Sequence, residues 1–211
     1  MEYLVTMTTR VPEGTAAREV DDVRSREAAH SRRLADEGRL LRLWRPPLAP
    51  GEWRSIGLFV ADGPDDLART LAAMPLSVWR SDDPTPLSPH PNDPGRDRVP
   101  IRTNVEEYLV TFALEVPAGT DPRDVDDALA REAARARELA AEGRLVRLWT
   151  LPGRSRSLGL WQDAGAEELR HLLASLPLAA WLAVDTVPLT RHPSDPATAP
   201  DRSPEPSHTS C

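Results

Sequence analysis

Glu27 and Glu132 are the side chains best placed to do chemistry in this sequence. Ala16, Val20, Val23 and Leu34 outline one apolar stripe on a helix, and Glu27 falls near its middle. At about 100° per residue it stands roughly 20° from Val20. Glu132 sits in the same way among Val125, Ala128 and Leu139. A carboxylate on the sheet-facing side of a helix loses water, and desolvation raises its pKa towards the range useful for a general base. The alternative is an ion pair with one of the many arginines, or a head group left in water at the rim of the stripe. Helix side chains lean towards the N-terminus, so Glu27 is expected to reach over the sheet near Trp44 and the strand that opens at Trp53.

Further candidates recur in pairs. Arg42 and Trp44 alternate along a strand and point the same way, as do Arg147 and Trp149. Arginine beside indole suits an anionic, planar substrate; tryptophan on a sheet equally serves as core or interface. His90 and His192 follow the last strand of each half, where a histidine shuttles protons near neutral pH or caps a His-Pro turn. Arg191 precedes the second of them. These histidines lack neighbouring cysteines or His-x-His spacing, so no metal site is expected.

Composition narrows the chemistry. All 26 basic residues are arginine. Without lysine there is no Schiff base, no pyridoxal-phosphate attachment and no phosphate-loop lysine. There is no glycine-rich dinucleotide fingerprint and no His-Glu-x-x-His. The net charge of −7 without a basic run argues against nucleic acid. The apolar runs are too short for a membrane helix. Cys211, the single cysteine, lies in a polar tail and offers neither disulfide nor thiolate. With the first strand opening at Glu2, no signal peptide is expected and the predicted location is the cytoplasm.

The elements that must hold these residues come in two copies. Glu2-Tyr-Leu-Val-Thr6 returns as Glu107-Tyr-Leu-Val-Thr111, and Arg42-Leu-Trp44 as Arg147-Leu-Trp149. Ser55-Ile-Gly-Leu58 returns as Ser157-Leu-Gly-Leu160, and His90-Pro91 with Asp93 as His192-Pro193 with Asp195. The offset is 105 residues up to the shared tryptophan and 102 afterwards, so copy two is three residues shorter in one loop. Each copy reads β-α-β-β-α-β, with Thr15 or Asp121 as helix caps and Gly38 or Gly143 as stops. Copy one's last strand, broken by Asp82, Asp83, Pro84 and Pro86, is expected to be a frayed edge. The fold class is α+β: two ferredoxin-like repeats, 1–94 and 106–196, packed as an intramolecular dimeric α+β barrel. Residues 95–105 read as linker and 197–211 as a disordered tail.

In order and spacing these motifs resemble muconolactone delta-isomerase. The resemblance rests on Glu27 with Leu34 and Glu37-Gly38, Leu43-Trp44-Arg45, Met74-Pro75-Leu76 and His90-Pro91. In copy two it rests on Glu132, Leu139, Glu142-Gly143, Leu148-Trp149, Leu176-Pro177-Leu178 and Arg191-His192-Pro193-Ser194. The copies depart from the family at Thr6 and Thr111, where it has lysine, and at Arg42 and Arg147, where it has histidine. The arginine after tryptophan survives as Arg45 but is Thr150 in copy two, and the arginine before His-Pro survives only as Arg191.

The resemblance implies a cofactor-independent isomerase that shifts a proton, and with it a double bond, in a small unsaturated lactone or oxoacid. Glu27 and Glu132 would act as bases, with His90 and His192 beside them. Arg42, Trp44, Trp53, Arg147, Trp149 and Arg191 would hold the substrate. The expected partner is a small anionic lactone or oxoacid, with neither nucleic acid nor membrane, and pseudo-dimers are free to assemble further. A second reading keeps the barrel as a non-catalytic ligand-binding or assembly domain. A haem- or antibiotic-type monooxygenase is disfavoured, since no histidine recurs at a mid-helix ligand position.

Overall fold

The computed structural model describes residues 1–198; the remainder of the expected tail lies outside the described residues. Copy one runs β1 (Glu2–Thr9), α1 (Ala17–Asp36), β2 (Leu40–Arg45), β3 (Arg54–Val60), α2 (Pro64–Ala72) and β4 (Arg80–Pro89). Copy two runs β5 (Glu106–Leu114), α3 (Pro122–Ala141), β6 (Leu145–Thr150), β7 (Arg156–Asp163), α4 (Ala166–Ala174) and β8 (Leu182–Arg191). A 3₁₀ turn precedes each last strand, at Pro75–Trp79 and Ala179–Trp181, and another at Pro196–Thr198 runs into the start of the expected tail.

The eight strands close into one barrel in the order β1-β3-β2-β8-β5-β7-β6-β4. Within a copy the pairing is long and antiparallel, for example Glu2↔Val60 through Thr8↔Arg54. Between copies it is short: Trp44↔Arg191 and Arg45↔Thr190 on one seam, Ser88↔Thr150 and Pro89↔Trp149 on the other.

Strand alternation sends one set of side chains to each face. Tyr3, Val5 and Met7 pack with Leu34 of α1 and Leu67 and Leu71 of α2. Tyr108, Val110 and Phe112 do the same beneath α3 and α4. The opposite faces meet inside the barrel, where Trp44, Ile56, Leu58, Leu109, Trp149 and Leu160 form a single core. One sheet thus covers the face that the other would leave bare. The connecting segment contributes as well: Val99 is buried in this central core and Ile101 packs against it.

Three local expectations are corrected. Asp121 does cap its helix, accepting a hydrogen bond from Arg123 N at 2.9 Å, but Thr15 does not; its hydroxyl donates to Pro12 O, and Ala16 is the cap residue. Ala16, placed on the apolar stripe, is consequently exposed. Strand β4 is not frayed: it pairs with β1 from Glu2↔Leu87 to Thr9↔Arg80. Pro84 and Pro86 are two apart, so both missing N–H groups face the same side. That side is away from β1, where a donor is not required.

Candidate functional site

Each copy opens a cleft between its long helix and its sheet. The first, of about 420 Å³, is lined by Arg24, Glu27 and Ser31 of α1, Arg45 of β2, Trp53, Arg80 and His192 among others. The second, of about 230 Å³, holds Glu132 with Leu129, Ala136, Leu148, Trp161, Leu182 and His90. The histidine in each case comes from the opposite copy. The chain continues past β8 along β2, with His192 N donating to Leu43 O at 3.0 Å; past β4, His90 N donates to Leu148 O at 3.4 Å.

Both glutamates point into their clefts, yet their partners differ. Glu27 accepts from Leu76 N at 2.8 Å through one oxygen and from Arg80 Nη1 at 2.9 Å through the other. Glu132 accepts from Leu178 N at 3.0 Å, and Leu182 stands where copy one has Arg80. Burial therefore lifts the Glu132 carboxyl above the usual range, only partly offset by that one N–H. Desolvation is as the periodicity of the helix implied, but one of the two acids has also acquired its arginine.

His192 is held neutral. Burial, then repulsion from Arg45 and Arg24, brings its pKa down to about 4. Its Nδ1 accepts from Ser194 N at 3.1 Å, so the neutral ring carries its proton on Nε2. His90 repeats the arrangement with Asn92 N at 3.1 Å, and burial lowers its pKa against the opposing pull of Asp93.

Of the side chains expected to hold substrate, Trp53 lines the first cleft, with the Arg24 guanidinium 5.5 Å from its ring centroid. Arg42, Trp44, Arg147, Trp149 and Arg191 line neither cleft. Arg42 and Trp44 do share a face, the guanidinium lying 4.7 Å from the indole centroid, but that face is the barrel interior. There Arg42 pairs with Glu107 at 2.7 Å and Asp195 at 3.0 Å, Trp44 Nε1 donates to Glu107, and Arg191 Nε donates to the same carboxylate at 3.0 Å. The other seam mirrors this: Arg147 pairs with Glu2 at 2.9 Å and Asp93 at 3.1 Å, and Trp149 Nε1 donates to Glu2 at 2.6 Å. Arg96 from the connecting segment takes the place of Arg191. Arg42 and Arg147 also border a recess of about 130 Å³ beside that segment. A register shift between Leu40 and Arg42 turns Leu43 to the cleft and Trp44 inward. So Glu27 shares its cleft with Trp53 but not with Trp44, which stands across the sheet.

Sequence reasoning passed over Arg24, Arg45 and Arg80 as cleft residues and Glu2, Glu107, Asp93 and Asp195 as their copies' cross-ties. The acids had left a signal, since all four recur between copies; Arg45 had left one only through the family resemblance, and Arg24 and Arg80, present in one copy only, had left none.

Fold and site together define a dimeric α+β barrel with both halves on one chain, each acid-bearing cleft completed by the other half. The sequence profile of muconolactone delta-isomerase matches residues 1–93 and again 107–195. The chain belongs to the muconolactone delta-isomerase family and carries its domain twice. The muconolactone delta-isomerase of Rhodococcus opacus is 30% identical over 88 residues, which is 42% of this chain and 95% of the relative. That of Cupriavidus pinatubonensis is 33% identical over 87 residues, 41% of this chain and 95% of the relative. Among solved structures, a haem-binding protein from Thermus thermophilus superposes over 92% of this chain and 93% of its own, with TM-score 0.58 and 10% identity. A chlorite dismutase from Candidatus Nitrospira defluvii covers 92% of each chain, with TM-score 0.55 and 12% identity. At such identities the likeness bears on the fold alone.

Proposed function

We propose that the first cleft isomerises a small anionic unsaturated lactone or oxoacid, of the muconolactone kind, without a cofactor, as a step of aromatic catabolism. Glu27 takes a proton from the carbon next to the unsaturated carbonyl. The electron pair spreads onto the carbonyl oxygen as a dienolate, and the proton returns at the other end of the conjugated system, so the product is an isomer. Neutral His192, with its Nε2–H, is suited to donate to the oxygen where charge develops. Arg24 and Arg45 face the substrate carboxylate, and Trp53 offers its ring plane.

One observation carries this reading. Arg45, kept by copy one alone, and Ser194, kept by copy two alone, converge on a single cleft with Glu27 and His192, while Arg191 lies outside it. The second cleft receives the complementary losses, Thr150 and Asn92, beside Glu132 and His90.

Turnover of muconolactone by Glu27→Gln, Glu132→Gln and the double variant tests it. Loss of a general base costs about 10²–10⁴-fold, so Glu27→Gln is expected to lose that much and Glu132→Gln to stay within a few-fold of the parent. Undiminished turnover in Glu27→Gln overturns the assignment, and undiminished turnover in the double removes both glutamates from the mechanism. The Arg80–Glu27 pair favours one other reading, a binding domain that has left chemistry behind. Muconolactone bound stoichiometrically with no turnover in the parent chain would select it.

A further inference from the structure

The two clefts descend from one ancestor, and most of the differences between their walls run in one direction, with Trp53 opposite Ser155 the exception. Aligning the copies by the offsets of 105 and 102 residues places Arg24 opposite Leu129, Arg45 opposite Thr150 and Arg80 opposite Leu182. Ser31 stands opposite Ala136, Thr9 opposite Leu114 and Met7 opposite Phe112. All of these residues line their respective clefts. Three cations are therefore replaced by two leucines and a threonine, and two hydroxyl side chains by methyl-bearing ones. Of the charged helix residues that line the first cleft, the glutamate alone has a charged counterpart in the lining of the second.

What remains in the second cleft is an apolar wall of Phe112, Leu148, Trp161, Leu178 and Leu182 around one carboxyl group. The other ionisable side chains in its lining are His90 and Arg156; Arg156 is exposed, and neither forms a hydrogen bond or ion pair with Glu132. Leu129, at the mouth, is 42% exposed and extends the apolar surface outward. The Trp161 Nε1–H is buried without a partner, a second polar group in the wall. A carboxylate ligand entering here would meet Glu132 with no cation beside it, an arrangement in which like charges repel and the cost of desolvation is not recovered.

We propose that the second cleft is a binding site for uncharged, compact ring compounds such as neutral lactones, oriented by a hydrogen bond to the Glu132 carboxyl group. The cavity is below the volume range usual for drug-sized ligands, which restricts the occupant to one or two small rings. Burial keeps the Glu132 carboxyl protonated over a wider pH range than an exposed one, and a protonated carboxyl donates to a carbonyl oxygen. The chain thus carries one cleft furnished for anions and one for neutral molecules of similar shape.

The tryptophans separate the two clefts experimentally, because Trp53 lines the first and Trp161 the second. The full chain is labelled with 5-fluorotryptophan, its resonances are assigned by single Trp→Phe changes, and it is titrated with coumarin, a neutral lactone, and with benzoate. Coumarin is expected to shift the Trp161 resonance and leave Trp53 in place; benzoate is expected to leave Trp161 in place. Leu182→Arg, which installs the arginine of the other copy, is expected to weaken coumarin binding at least tenfold. Leu129→Arg changes an exposed position and is expected to weaken it severalfold without disturbing the core. Glu132→Gln keeps a donor and is expected to bind coumarin within about threefold of the parent. A coumarin response at Trp53 or at neither tryptophan overturns the proposal, as does a Trp161 response to benzoate equal to that for coumarin. Unchanged affinity in both arginine variants overturns it too. Turnover does not enter this readout, so Glu27→Gln leaves it unaltered and the two proposals fail separately.

Discussion

His192 and Glu27 lie 165 residues apart in sequence and in different copies, yet they line one cleft, His192 being fixed there by its backbone bond to Leu43 O at 3.0 Å. The two repeats meet within a single chain. The histidine therefore arrives at the acid of the other repeat without any second-order association. Its environment, Arg45 and Arg24 on one side and burial on the other, keeps it uncharged.

That depressed pKa has a consequence for stability. The folded value of about 4 lies below the ordinary 6.5 of the unfolded chain, so the unfolded state binds the extra proton between those limits. Stability attributable to His192 is complete above pH 6.5 and falls as pH drops towards 4. Half-burial reduces the effect to about 1–2 kcal/mol at about pH 5. Urea unfolding of the parent and of His192→Gln at about pH 7 and about pH 5 checks it. The parent is expected to lose that much more than the variant on acidification, and equal losses would contradict it.

Much of this was legible in the sequence. Recurrence at a fixed offset exposes the duplication, and β-α-β-β-α-β order with a bare sheet face calls for a partner sheet, as the central core of Trp44, Trp149 and Leu109 confirms. Alternation, however, gives parity and not side. It places Arg42 and Trp44 together, but the register shift after Leu40 decides that their side is the barrel interior. Nor does a linear reading reveal that the segment after each last strand crosses over, since the bonds holding it, from His192 N and to Asp195, are made to the other copy. Arg24 and Arg80 of the first cleft leave no mark of this kind, because their counterparts in copy two are Leu129 and Leu182.

The cross-ties make a second prediction. Arg42 is 6% exposed and Glu107 2%, and the pair joins copy one to copy two. Removing one member of a buried ion pair strands the other without water, at a cost of about 3–5 kcal/mol. Arg42→Ala is expected to lose that amount in urea unfolding. Arg170→Ala, which breaks the exposed pair with Glu167, is expected to lose less than about 1 kcal/mol. Similar losses would show that the seam is not held by its charges.

Gly57 and Gly159 offer a test of packing. A Cβ on Gly57 would fall 2.4 Å from Phe59 Cε2, and one on Gly159 2.2 Å from Trp161 Nε1. Both rings are buried, Phe59 fully, and lie across the glycine two residues before them on the same face of the strand. Trp161 borders the second cleft, whereas Phe59 lines neither cleft and has nowhere to retreat. Overpacking of this kind costs about 1–3 kcal/mol, and Gly57→Ala is expected to show it in thermal or urea unfolding.

Arg45 supplies the most direct test of how the first cleft selects its ligand. It lines the cleft, forms no ion pair among the described residues, and stands where copy two has Thr150. A cation left without a protein carboxylate in a partly enclosed cleft is available to an anionic one from solution. A hydrogen bond to a charged group contributes about 1.5–3 kcal/mol, which corresponds to roughly 10–150-fold in binding. Arg45→Leu is therefore expected to raise KM for an anionic lactone by that factor while changing kcat by much less, because the carboxylate is held equally in ground and transition states. The same change removes one source of repulsion from His192, so the imidazole pKa is expected to rise from about 4, observable by NMR titration of the ring protons. A fall in kcat with KM unchanged would place Arg45 at the reacting centre, and no change in either would remove it from the site.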